Sequence, residues 1–167
     1  AVFGLRNSPF TKHYFESSSD VEIWDQFTHS FDLHNLHCKC MLDSVVIDHN
    51  LKTITPVDLK TTSGSYSDFK YSALKYRYDL QAHLYTLGLT DFISSKGPEY
   101  KDYTIKPFRF VVSSKTGFET PHVYVMNPIS FLNKINEHTS STYRNLYEIL
   151  VNFSKHSKSS DFVHDIE

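Results

Sequence analysis

Short runs in which apolar and β-branched residues dominate are separated by polar turn residues along the first sixty positions. Residues 21–24 and 31–36 carry strand-like side chains. Residues 38–47 are again β-rich. Asp48, His49, Asn50 and Leu51 supply a turn, and 52–60 reads as the return strand of a hairpin. Pro56 has no amide to give to a ladder, so a bulge or an edge position is expected there. A Ser/Thr/Gly loop over 61–67 follows, with Asp68 placed to cap a helix predicted over about 69–89. At about 100° per residue, Ala73, Leu80, Leu84 and Leu87 share one arc expected to face the core. Leu74, Tyr78, Gln81 and Tyr85 share the adjacent arc, and Lys75, Asp79, His83 and Thr86 are expected in solvent. Gly88 fits the end of that helix. A polar connection over 94–102 leads to strands over 103–113 and 120–126, joined by a turn at Lys115, Thr116 and Gly117. Pro128 opens a stretch whose spacing through Phe131, Ile135, Leu146 and Leu150 predicts a helix over about 129–154. Residues 1–19 read as an N-terminal arm and 155–167 as a frayed tail. There is no internal repeat.

The order hairpin, helix, hairpin, helix predicts a mixed α/β fold, with a central mixed sheet flanked by helices. A chain of 167 residues is expected to form a single domain with a real core. A net charge of −2 excludes a polycation, so any nucleic-acid partner has to be held by a local basic patch. No apolar run reaches the ~18 residues of a membrane span, and the first residues lack a signal-peptide layout. A cytoplasmic location is therefore expected. The chain opens on Ala1 without an initiator Met, so a trimmed chain or an isolated domain is expected.

Cys38 and Cys40 are the only cysteines and are expected to be reduced. Two thiols do not make a Cys₄ zinc or iron–sulfur site. His34 and His37 lie close by, but the segment reads as extended strand rather than a zinc knuckle, so no zinc is expected. No Gly-x-Ser-x-Gly elbow points to a serine hydrolase.

The candidate chemistry lies in the first hairpin. With its turn centred near Asn50 and Leu51, Asp43 falls opposite Asp58. Opposed side chains on one face stand roughly 4.5–5.5 Å apart at Cβ. Two carboxylates that close repel unless a cation sits between them. Mg²⁺ or Mn²⁺, as one ion or two, suits oxygen ligands, with the Leu59 carbonyl as a further donor. Lys60, two residues beyond Asp58, points to the same face and is placed to orient a metal-bound water. Gln81 and Tyr85, four apart, stack on one face of the following helix. This set suits metal-assisted hydrolysis of a phosphodiester.

Residues 38–43, then Val57-Asp58-Leu59-Lys60-Thr61-Thr62, then 76–85 with Gln81-Ala82-His83-Leu84-Tyr85, resemble the PD-(D/E)XK nuclease superfamily, within it the RecB-like and RecE-like exonucleases of phages. The resemblance implies a restriction-endonuclease-like core and a Mg²⁺-dependent deoxyribonuclease acting on the ends of linear duplex DNA in recombination. It makes Asp43 and Asp58 the acidic ligands, Lys60 the catalytic lysine, and Gln81 and Tyr85 the Gln-x-x-x-Tyr motif. It also implies a homo-oligomer, since processive relatives form rings, and a recombination partner protein. Relatives with an iron–sulfur cluster need four cysteines, so no cluster is expected. Met41 stands where many members carry glycine, and Glu22 is the preferred auxiliary metal ligand. An endonuclease, or a catalytically silent DNA-binding member of the fold, is the alternative. For DNA contacts the candidates are Lys70, Lys75, Arg77 and Tyr78, then Lys101, Lys106 and Arg109. Tyr66 and Tyr71 are available for base stacking.

Overall fold

A computed structural model describes residues 5, 7–115, 120–127, 130 and 144–156 of the chain. Its elements are β1 (Val21–Leu33), β2 (Leu36–Asp48), β3 (Thr53–Thr62), α1 (Phe69–Lys75), α2 (Tyr78–Ser95), β4 (Thr104–Ile105), β5 (Phe108–Ser114), β6 (His122–Met126) and α3 (Leu146–His156). The strands form one six-stranded mixed sheet in the order β1-β2-β3-β5-β6, with β4 paired to β3 off that path. β1, β2 and β3 run antiparallel, β5 is parallel to β3, and β6 returns antiparallel. The parallel β3–β5 pair needs a crossover, which the two helices α1 and α2 provide. The fold is thus the mixed α/β arrangement the sequence predicts.

The first strands differ from the prediction. The run expected over 31–36 is cut by a tight turn at His34 and Asn35, whose φ values of 52° and 62° are those of a two-residue hairpin turn. What precedes it is one strand of 13 residues. Pro56 lies on neither an edge strand nor a bulge. On one side it pairs with Val45, and on the other it falls in the gap between β4, which pairs with Thr53 and Ile54, and β5, whose pairing with β3 starts at Val57. Its missing N–H is not called on there.

The predicted single helix is two. The chain breaks at Arg77, which has φ 51° and ψ 51°, and α2 then runs on to Ser95. Gly88 therefore does not end the helix. It lets α2 approach the sheet, since a Cβ there would stand 2.6 Å from both Cys40 Sγ and Phe31 Cε1. The inward stripe of α2 is also rotated from the predicted arc. Ala82, Gly88 and Leu89 are buried, whereas Leu84 and Leu87 pack only partly and Leu80 is half-exposed. Asp79, expected in solvent, is buried. Asp68 does not cap α1; its carboxylate accepts a bond from Ser65 Oγ.

Two apolar layers cover the sheet. Phe27, Leu42, Val45, Ile47, Ile54, Phe108 and Phe110 meet α1 and α2 on one face. On the other, Val46, Val57 and Val111 meet Leu5, Tyr14 and Phe15. The N-terminal segment is thus a covering layer rather than an arm, pinned where Ser44 Oγ donates to the Tyr14 carbonyl at 2.9 Å. Coverage on both faces explains why β5 is buried along nearly its whole length. The predicted helix positions Phe131 and Ile135, the turn residues Thr116 and Gly117, and the tail from 157 lie outside the described residues. No helix among the described residues is long and apolar enough to cross a membrane.

Candidate active site

The β2–β3 ladder runs from Asp48↔Thr53 to Ser44↔Val57 and then parts. Asp43 is the next residue of β2. Its Oδ2 accepts the Leu59 amide N–H at 2.7 Å, so the carboxylate replaces the partner the amide loses where the strands diverge. On the other side Gln26 Nε2 donates to Asp43 Oδ1 at 3.3 Å. Gln26 has φ 50° and breaks β1 at the same level. Side-chain alternation slips there on both strands. Trp24 and Phe27 on β1, and Leu42 and Val45 on β2, face the same core although each pair is three apart. This double irregularity turns Asp43 toward the C-terminal half of β3.

Asp58 is only 4% exposed. Its carboxylate is gripped by Lys60 Nζ at 2.7 and 2.9 Å and accepts a short bond from Gln81 Nε2 on α2. Burial pushes the Asp58 carboxyl above the usual range; Lys60 and Gln81 pull it back, and the charge of Asp43 raises it further. Lys60 Nζ also lies 4.7 Å from the Tyr78 ring centre and 5.6 Å from that of Phe110. Tyr85 has its pKa raised by burial, then by Asp58, Cys40 and Asp43, so its phenol feels both carboxylates. Tyr78 is raised by burial and then by Asp58. The predicted Asp43, Asp58, Lys60, Gln81 and Tyr85 therefore converge, with Tyr78 beside them. Leu59, whose carbonyl is the expected further metal donor, meets Asp43 through its amide.

Other candidates lie elsewhere. Glu22 pairs with Ile47 along the ladder, away from Asp43. It accepts from Trp24 Nε1 at 2.7 Å and pairs with His49 at 3.4 Å. Arg77, expected to touch DNA, is committed to the buried Asp79. Lys70 and Lys75 are exposed on α1, over the exposed rings of Tyr71 and Tyr76. Tyr66 is structural: its hydroxyl accepts the Ser114 amide and its ring stacks on His122. Lys106 donates its amide to Ile54, and Lys101 lines a groove with Ile105, both near the opposite end of β3. Arg109 buries Nη1 without a partner among the described residues. Gln26 was missed, because its left-handed backbone has no local signature in a Trp- and Phe-rich strand.

No protein-family model matches the chain, and no curated protein matches it. Among solved structures it is similar to the crystal structure of a "Putative exonuclease" from Eubacterium rectale, with a TM-score of 0.53 and 13% sequence identity. The match covers 93% of this chain and 49% of that one, so the chain spans about half the length of that protein. The likeness is one of fold: a central mixed sheet flanked by helices.

Proposed function

We propose that the chain is a divalent-metal-dependent deoxyribonuclease that hydrolyses phosphodiester bonds at the ends of linear duplex DNA, in recombination or DNA processing. The observation that carries this reading is the buried Asp58, held by Lys60 and Gln81 beside Asp43. The name of the fold neighbour supports the nuclease class.

Asp43 and Asp58 would hold Mg²⁺ or Mn²⁺. Among the described residues no cluster of three or more His, Cys, Asp or Glu side chains forms. A two-carboxylate donor set suits a hard cation that keeps several waters and takes substrate oxygens. A metal held there would lower the pKa of a bound water and would neutralise charge on the phosphate. Gln81 fixes the Asp58 carboxylate from the helix side, so that it need not reorganise as the charge around it changes. The Lys60 ammonium occupies the cationic position beside Asp58. Once freed from that carboxylate, Nζ is placed to orient the attacking water or to hold a proton. Tyr85, with its raised pKa, stays a hydroxyl at neutral pH and donates a hydrogen bond to developing negative charge.

The test is digestion of end-labelled linear duplex and of a closed circle, with Mg²⁺ or EDTA, by wild type and Lys60→Ala. The expected result is metal-dependent loss of the linear DNA alone, abolished by the substitution. Cutting of the circle as well moves the reading to an endonuclease. No cutting of either, with no Mg²⁺ bound, overturns it.

A further inference from the structure

Beyond Lys60, the end of β3, the loop to α1 and the end of β5 enclose a hollow of about 200 Å³. Its polar wall includes Lys60, Thr61, Ser63, Ser72, Tyr76 and Lys115. Lys60 and Lys115 both line it, and the Lys60 ammonium is the one that grips Asp58. Lys115 is held there by its backbone, whose amide donates to the Thr62 carbonyl at 2.9 Å. The loop is folded locally, with the Gly64 amide donating to Thr62 Oγ1 at 3.2 Å.

A hollow lined by Lys115, by Lys60 shared with Asp58, and by several hydroxyl-bearing residues suits a compact anion with several acceptor oxygens. The rim adds a second chemistry. Tyr76 is 60% exposed, and its ring stacks on Tyr78 at a centroid distance of 5.9 Å. Lys75 Nζ lies 5.3 Å from the same ring. An exposed aromatic ring beside an anion hollow is what a nucleotide needs, the phosphate inside and the base or sugar on the ring. Lys60 belongs both to the hollow and to the Asp58 pair, so the ligand lies next to the reacting centre.

Resting on the nuclease reading for its ligand, we propose that this hollow is a subsite for a phosphate of the cut strand adjacent to the scissile one. Lys115 is its outer cation and Tyr76 its stacking wall. Neither residue was among the DNA-contact candidates of the sequence.

The experiment measures fluorescence anisotropy of a short labelled single-stranded oligonucleotide in EDTA, so that cleavage plays no part. The strand carries a 5′-phosphate, a 3′-phosphate or neither. Lys115→Ala, at an exposed position, is expected to keep the wild-type melting temperature. It is expected to weaken binding roughly tenfold or more and to lower the salt slope by about 1. Tyr76→Ala is expected to weaken binding, with Tyr76→Phe restoring it. A loss confined to one phosphorylated end assigns the hollow to a terminal phosphate, and an equal loss on all three strands assigns it to an internal one; both support the subsite. Unchanged affinity of Lys115→Ala overturns it. Should Lys115→Ala lose binding while wild type cuts no DNA, the nuclease reading falls and the hollow remains a site for a strand phosphate. Should wild type cut and Lys115→Ala bind normally, the subsite alone falls.

Discussion

Arg77 separates two readings of one basic residue. Its Nε and Nη2 each donate at 2.9 Å to the two oxygens of Asp79, and Nη2 donates to the Arg144 carbonyl at 2.8 Å. The Asp79 side chain is 3% exposed and that of Arg77 20%. At an effective dielectric near 20, opposite charges about 4 Å apart attract by about 4 kcal/mol. Arg77→Met leaves Asp79 buried without its guanidinium, and breaking a buried pair in this way costs about 3–5 kcal/mol. That is a large part of the roughly 5–15 kcal/mol that holds a domain together. The loss falls on the first turns of α2, which carry Tyr78 and Gln81, so Gln81 is expected to leave Asp58 and activity to fall with stability. Urea denaturation followed by circular dichroism measures the effect, with Asp79→Leu and the double variant closing the cycle. The double variant is expected to be more stable than Arg77→Met alone, because it removes the buried charge that the single change strands. Activity of Arg77→Met is expected to recover in a stabilising osmolyte such as sucrose. The reasoning is refuted if Arg77→Met unfolds at the wild-type urea concentration while DNA affinity drops, as a phosphate contact requires.

Three further outcomes are expected. The folded-state pKa of Asp58 is raised, chiefly by burial, so this group favours folding at low pH and that contribution is lost as pH rises through the raised value. Asp58→Asn is therefore expected to be at least as stable as wild type at neutral pH while inactive, with any advantage vanishing in acid. A lower urea midpoint at neutral pH contradicts this. Gly88→Ala gains about 1 kcal/mol of helix propensity. Overpacking against Cys40 and Phe31 costs about 1–3 kcal/mol. A loss of up to about 2 kcal/mol and slower cleavage are thus expected, with Cys40→Ala restoring part of both; no shift in midpoint or rate argues against the close approach. Saturating Mg²⁺ is expected to raise the wild-type melting temperature, by a free energy of about 2.7 kcal/mol at a hundredfold excess over Kd. Asp43→Asn should show no such rise, and an equal rise in both would remove Asp43 from the ligand set.

The candidate site was legible because the spacing of its residues is encoded locally. The turn at 49–52 sets the register that brings Asp43 level with Asp58, and the period of two places Lys60 on the face of Asp58. The Gln81–Tyr85 spacing puts that pair on one side of a helix wherever the helix docks. Strand and helix order likewise follows from local period and turn residues, and with it the mixed α/β class.

What the sequence left open depended on partners distant along the chain. Asp79 reads as a solvent residue until Arg77 folds back over it, and Arg77 reads as a DNA contact until it meets Asp79 and the Arg144 carbonyl. The break that creates α2 contains neither glycine nor proline. The inward face of α2 is set by Gly88 against Cys40 and by Gln81 against Asp58, so Ala82, Gly88 and Leu89 rather than the predicted leucine arc turn toward the sheet. Pro56 is tolerated in an interior strand only because β4 and β5 leave a gap beside it. The slip at Gln26 and Asp43 needs both strands at once. Local pattern carries the period and turn chemistry of each element. Which polar group is compensated, and therefore which one is buried, is decided only when the elements meet.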